Sequence, residues 1–210
     1  ANLDALKTGD IKAVIDLTGK TAGEYAPIFF KQAKYTLLDQ NTFWLCEKPD
    51  SVGMVGWDAA LTRIATWVKL QDKKTGQILM VVNTHFDHIG TEARRNSALL
   101  IIEKIKEIVG TSPAILTGDF NVSEDWDAYK TITNNEFILK DAHKVAGKRT
   151  GVDFTYHNFG KIPAEKCEKI DFIFVTPQIR VISSYIPFSQ LNDTLFLSDH
   201  NPEIVELEIK

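Results

Sequence analysis

Four short stretches of this 210-residue chain each deliver polar, ionisable residues to an apolar run. NTHFDH (83–88) follows ILMVV, TGDFN (117–121) follows AIL, Asp171 lies inside IDFIFV, and SDHN (198–201) follows TLFL. These residue types suit hydrolysis of a phosphate ester. That reaction needs a cation to offset charge on the phosphoryl oxygens, a base for water and hydrogen-bond donors for the transition state. A hard ion such as Mg²⁺ prefers carboxylate oxygens and water, and Asp119 and Asp199 supply carboxylates. His200 can act as general base if a carboxylate orients its ring, and Asp171 is the natural orienter. Asn83 and Asn121 offer neutral donors to phosphate, and His85 offers a second acid or phosphate donor.

Taken singly, each stretch has a plainer explanation. An isolated His85 or His88 is more often a surface residue, Gly118–Asp119 can be a turn, and Asp199 can cap a helix or turn. Asp171 resists this treatment, because an ionised carboxylate inside a β-branched and aromatic run is costly to bury unless paired or metal-bound. A buried Asp–His or Asp–Arg pair is the structural alternative there.

The elements that must position these residues are mostly short strands. Residues 25–30 (YAPIFF) predict a strand with Pro27 near an edge or bulge, and residues 35–38 and 42–45 predict further extended pieces. Residues 64–70 (IATWVKL) alternate and, with the turn DKKTG (72–76) and the strand 78–83, make a hairpin. Residues 92–109 predict a helix, since Ala98, Ile101, Ile102, Ile105 and Ile108 recur at helical spacing and Gly110 follows as a stop. A short buried strand at 114–116, a second helix at 125–134 and strands at 170–175, 180–185 and 203–209 complete the reading. Many strands with one or two helices predict an α/β (α+β) layered domain rather than a Rossmann unit. Neither GxGxxG nor GxxxxGK[ST] is present, and a serine esterase is disfavoured because Ser198 lacks a GxSxG elbow.

Bulk properties narrow the partners. The hydrophobic and charged fractions, 44% and 25%, are ordinary for a globular protein. A net charge of −4 argues against coating nucleic acid by bulk charge, though not against gripping phosphate through a metal. No apolar run reaches the length of a membrane span, and no signal peptide is visible. Cys46 and Cys167 form no CxxC pattern; two buried thiols are expected. Compartment is not legible.

NTHFDH, TGDFN, KIDFIFV and LSDHNP, in that order and at strand ends, resemble the endonuclease/exonuclease/phosphatase superfamily, the deoxyribonuclease I-like proteins, over about residues 23–210. GWDAALTRIATW with NTHFDHIG and ARR looks most like a bacterial branch. The resemblance implies a two-layer β-sandwich with helices outside and the site at one end, and dependence on Mg²⁺ or Mn²⁺. It implies that Asp119 and Asn121 contact metal and scissile phosphate, with Asp119 also helping the attacking water. Asp199 would help hold metal, His200 would pair with Asp171, and His85 would sit against the phosphate. Glu24 would orient that histidine. Arg94, Arg63, Asn83 and His88 would serve substrate binding, with Arg63 and Trp67 largely architectural.

One departure accompanies the match. Family members begin with an Asn-bearing strand and a strand ending in a metal-binding Glu, and nothing before Gly23 fits. Residues 2–17 resemble the helix and strand that follow that Glu. The chain therefore reads as one domain, residues 1–210, lacking its first strands, with exposed sheet edges that invite self-association. Two functions compete on this basis. One is a divalent-metal phosphomonoesterase or phosphodiesterase, acting on a phosphorylated small molecule or nucleic acid. The other is a catalytically impaired member serving in binding or assembly.

Overall fold

The computed structural model describes residues 11–14, 25–134, 137, 139–192 and 195–210, the first four by backbone only. The strands are, in chain order, β1 (Ile11–Val14), β2 (Ile28–Lys31), β3 (Tyr35–Trp44), β4 (Ile64–Asp72), β5 (Ile78–His85), β6 (Ala114–Asp119), β7 (Lys140–Asp141), β8 (Lys148–Gly151), β9 (Asp171–Val175), β10 (Ile179–Ile186), β11 (Gln190–Asn192), β12 (Leu195–Phe196) and β13 (Ile204–Ile209). The helices are α1 (Thr91–Val109), α2 (Asp127–Thr133) and α3 (Ala142–Val145).

Strands β3-β4-β5-β6-β9-β7 form a six-stranded sheet, and β13-β10-β8 a three-stranded one. Pairs β1-β2 and β11-β12 stand as separate ladders. Side chains alternate across each strand, and this sorts the large sheet into two faces. Met80, Val82, Leu116, Phe172 and Phe174 pack beneath Ala98, Ile101, Ile102 and Ile105 of α1. The opposite face carries Leu79, Val81, Ile115, Ile173 and Val175, which meet Ile179, Val181, Val205, Leu207 and Ile209 of the smaller sheet. The result is a two-layer β-sandwich with helices on the outside. Phe120 ties the helical side together, edge-on to Phe86, Phe172 and Phe174.

Several expectations needed adjustment. The pieces at 35–38 and 42–45 are one ten-residue strand, interrupted only by a register shift between Leu37 and Asp39. Strand β4 is buried on both faces at Ile64–Val68 rather than on one, because α1 covers one side and Ile28 and Phe30 of β2 reach the other. Cys46 is buried but Cys167 is only half-buried, and both are free thiols. The helix predicted near residues 2–7 lies outside the described residues, as does Glu24. Among the described residues no helix is long and apolar enough to cross a membrane.

Candidate active site

Backbone register assembles the first part of the site. Strands β5 and β6 are parallel with His85 opposite Asp119, and β6 and β9 are antiparallel with Asp119 opposite Asp171. Three polar residues from distant parts of the chain thus stand in one row across the sheet, at the end where the apolar runs finish. Parallel β5 and β6 require a crossover, and α1 supplies it. Close approach within the row depends on Gly118, where an added Cβ would lie 2.2 Å from the Thr84 carbonyl oxygen. This is the physical content of the glycine in TGDFN.

His200 enters from the segment leading to β13. Its Nδ1 lies 2.7 Å from Asp171 Oδ2, and its Nε2 is 4.0 Å from Asp119 Oδ2. His85 Nε2 is 3.3 Å from the same Asp119 oxygen. The row lines a groove of about 420 Å³ that also touches Asn83, Thr117 and Glu203.

The electrostatics are unequal. Burial first, then the charge of Asp171, pushes the Asp119 carboxyl up to about 6. Burial first, then the nearby Arg63 charge, pushes His85 down to about 4, so this ring is neutral at pH 7. Burial would also lower His200, but its bond to Asp171 and the surrounding carboxylates prevail and raise it. Asp119, Asp171 and His200 each offer a ligand atom within 4.8 Å of the others. Two adjacent carboxylates, one strained upward by burial, form a donor set that a hard divalent cation would relieve.

The other sequence candidates take distinct places. Asn121 has a left-handed backbone, φ 49. Its N–H donates to Asp119 Oδ1 and its side-chain Nδ2 to the Phe86 carbonyl, so it braces the row from the α1 side. Asn83 lines the groove, but its amide donates to Pro27 O and accepts from Thr117 Oγ1. Asp199 accepts a hydrogen bond from Ser198 Oγ, while its backbone carbonyl receives His157 N–H and Asn158 N–H. Arg63 is buried, with Nη2 3.1 Å from His88 Nδ1 and Nε 3.7 Å from Asp87. Arg94 is also buried; it donates to the Asp87 carbonyl oxygen and to Thr91 Oγ1 and stacks on Trp126.

Asp87 was a blank in the sequence reading, although it stands inside NTHFDH. Its carboxylate accepts N–H bonds from Ala60, Leu61, Ile89 and Gly90. Burial alone would raise it; the four donors outweigh that and hold it down at about 2. Asp87 therefore knots the loop before β4, the end of β5 and the start of α1, with Arg63 and Arg94 beside it. Thr155 was equally unforeseen. Its hydroxyl accepts from the N–H groups of Ile170 and Asp171, and its carbonyl accepts from Asn201 N–H. Tyr156 bridges to His200 and lies with its ring 4.9 Å from the imidazole.

The sequence pattern described as the Endonuclease/Exonuclease/phosphatase family matches residues 15–200. An endonuclease/exonuclease/phosphatase from Bacteroides vulgatus has a similar structure, with TM-score 0.93 and 60% identity over 98% of this chain and 79% of that one. A mannosyl-6-phosphatase of Bacteroides thetaiotaomicron aligns with TM-score 0.87 and 33% identity, covering 99% of this chain and 82% of its own. An uncharacterised protein of Acanthamoeba polyphaga mimivirus is 30% identical over 175 residues; the match takes in 79% of this chain but only 63% of the viral protein's length.

Proposed function

Because the chain belongs to the endonuclease/exonuclease/phosphatase family, we propose that it hydrolyses phosphate esters at the cluster of His85, Asp119, Asp171 and His200. The observation that carries this reading is the 2.7 Å contact between His200 Nδ1 and Asp171 Oδ2. Asp171 accepts the Nδ1 proton, which leaves the Nε2 lone pair directed toward the Asp119 side. A water held between Nε2 and Asp119 would lose its proton to His200 as it attacks phosphorus. Asp171 stabilises the imidazolium so formed. Neutral His85 and the Asn121 amide act as hydrogen-bond partners for the phosphoryl oxygens without adding charge.

The donor set fits Mg²⁺ or Mn²⁺. Asp119 would hold the ion, with Asn121 and Asp199 as further oxygen donors from the adjoining loops. A bound divalent cation offsets negative charge on the phosphoryl group. Arg63 contributes positive potential from below the row, while Arg94 acts through the Asp87 knot. The substrate class best supported is a small phosphorylated molecule, sugar phosphates first. The support is the mannosyl-6-phosphatase relative at 33% identity and the net charge of −4, which disfavours long polyanions.

The test is turnover of sugar phosphates, nucleotides and phosphodiesters with Mg²⁺ or Mn²⁺, with His200→Ala and chelated protein as controls. Sugar-phosphate hydrolysis lost in both controls is expected. Activity that survives His200→Ala and chelation would sink the reading. No turnover of any ester would favour the binding or assembly role instead.

A further inference from the structure

We propose that the buried ion pair of Lys169 and Glu203 positions the Asp171–His200 dyad, holding its two halves at their working separation. The proposal rests on that dyad being the water-activating pair. Lys169 Nζ donates to the backbone carbonyl of Asp171 at 2.7 Å and to Glu203 Oε2 at 2.8 Å. The two side chains are 6% and 3% exposed. One residue thus grips the main chain at the dyad's carboxylate, and the other lies on the segment that carries its imidazole, just before β13.

Topology explains why such a tie is needed. His85, Asp119 and Asp171 are fixed to one another by ladder register within the six-stranded sheet. His200 leads into β13, which belongs to the three-stranded sheet. The ladder that sets the row therefore does not reach the imidazole. Two links cross this gap at the site. The first is Thr155 and Tyr156, which bond the backbone on both sides. The second is Lys169–Glu203, which is charged and fully enclosed. Its surroundings fix it further. The Lys169 ammonium sits 3.9 Å from the centre of the Phe172 ring. Glu203 Oε1 receives the Ser184 hydroxyl at 3.4 Å, and Ser184 Oγ is 2.8 Å from His143 Nδ1.

Energetics point the same way. Desolvating two charges offsets most of what their attraction gains, so a buried pair adds little net stability over apolar residues of similar size. What an ammonium adds is direction: its donors hold two acceptors, one on each half of the dyad, in one geometry. A misplacement of about 1 Å in a reacting group can cost on the order of 100-fold in rate.

The experiment compares wild type, Lys169→Met/Glu203→Met, Glu203→Gln and Lys169→Arg. The double variant removes both charges and leaves no orphan. Glu203→Gln keeps a partner for Lys169 and serves if the double variant does not fold. Two readouts are taken: kcat and KM on the best phosphate ester, and the His200 tautomer and Nδ1–H shift by proton–nitrogen NMR, which needs no turnover. The double variant should melt cooperatively, lose roughly 10- to 100-fold in kcat with KM changed less than about threefold, and show a displaced His200 Nδ1–H signal. Lys169→Arg should recover most of both. Wild-type kcat and an unmoved His200 signal in the double variant, or in Glu203→Gln, would overturn the proposal. If wild type hydrolyses no ester yet the signal moves in the variants, the hydrolase reading fails and the positioning role stands.

Discussion

Asp119 and Asp171 face each other as direct partners across β6 and β9. Like charges opposed across a ladder are destabilising, and the raised Asp119 carboxyl, at about 6, records that cost together with burial. A site selected only for stability would not keep both. Asp119→Asn should therefore raise the melting temperature of chelated protein, by on the order of 1–2 kcal/mol. It should also lower kcat by at least about 100-fold. A melt that falls instead would show that Asp119 is held by attraction, not repulsion.

Asp87 makes the opposite case. Its carboxyl is held at about 2 in the fold, against about 3.9 in an unfolded chain. A depressed carboxyl contributes stability that is complete above the unfolded value and is lost as pH falls through the folded one. The contribution is on the order of 2 kcal/mol. Chemical unfolding of wild type and Asp87→Asn should differ most at pH 6–7, and the difference should shrink between about pH 4 and pH 2. A residual, pH-independent penalty is expected, because an Asn carries one acceptor oxygen where Asp87 uses two. A constant gap across that range would mean the charge of Asp87 is irrelevant to the knot.

Helix α1 begins at Gly90 without a side-chain cap of its own. Asp58 provides one from outside the helix, accepting from Ala93 N–H at 2.7 Å and Glu92 N–H at 3.2 Å. Its carboxylate also sits favourably at the positive end of the helix dipole. Asp58→Ala should cost about 1 kcal/mol of unfolding free energy and leave kcat within about twofold of wild type, since Asp58 touches nothing in the catalytic row. Equilibrium denaturation with parallel kinetics checks both halves; unchanged stability would remove Asp58 as the cap.

These cases mark where the sequence was legible. ILMVVNTH shows its period of two, and residues 98–108 show their helical repeat, so the strand, the helix and the polar residues at the strand's end could be read locally. The four motifs ordered the site for the same reason. Asp87, Asp58, Thr155 and the Lys169–Glu203 pair were not legible, although all four lie in plain view. Asp58 caps residues 34 and 35 positions away, and Lys169 pairs with a residue 34 positions away. Partner choice across such separations is set by which strands become neighbours, and no local period encodes it. The short ladders of β7, β8, β11 and β12 were missed on similar grounds: residues 148–151 (KRTG) are exposed throughout and carry no apolar alternation.

Asn121 combines two roles that substitution can separate. Its backbone is left-handed, a conformation costing roughly 1–2 kcal/mol for a residue with an ordinary Cβ and little for glycine. Its side chain donates to Phe86 O and stands beside Asp119. Asn121→Gly should keep the loop's shape while losing the amide, so the fold stays near wild-type stability and kcat drops at least about tenfold. Asn121→Ala loses both, and should be less stable than Asn121→Gly by roughly 1 kcal/mol with a similar kcat loss. Equal stability for the two variants would show that the left-handed turn exacts no strain. Full activity in Asn121→Gly would show that the amide takes no part in the chemistry.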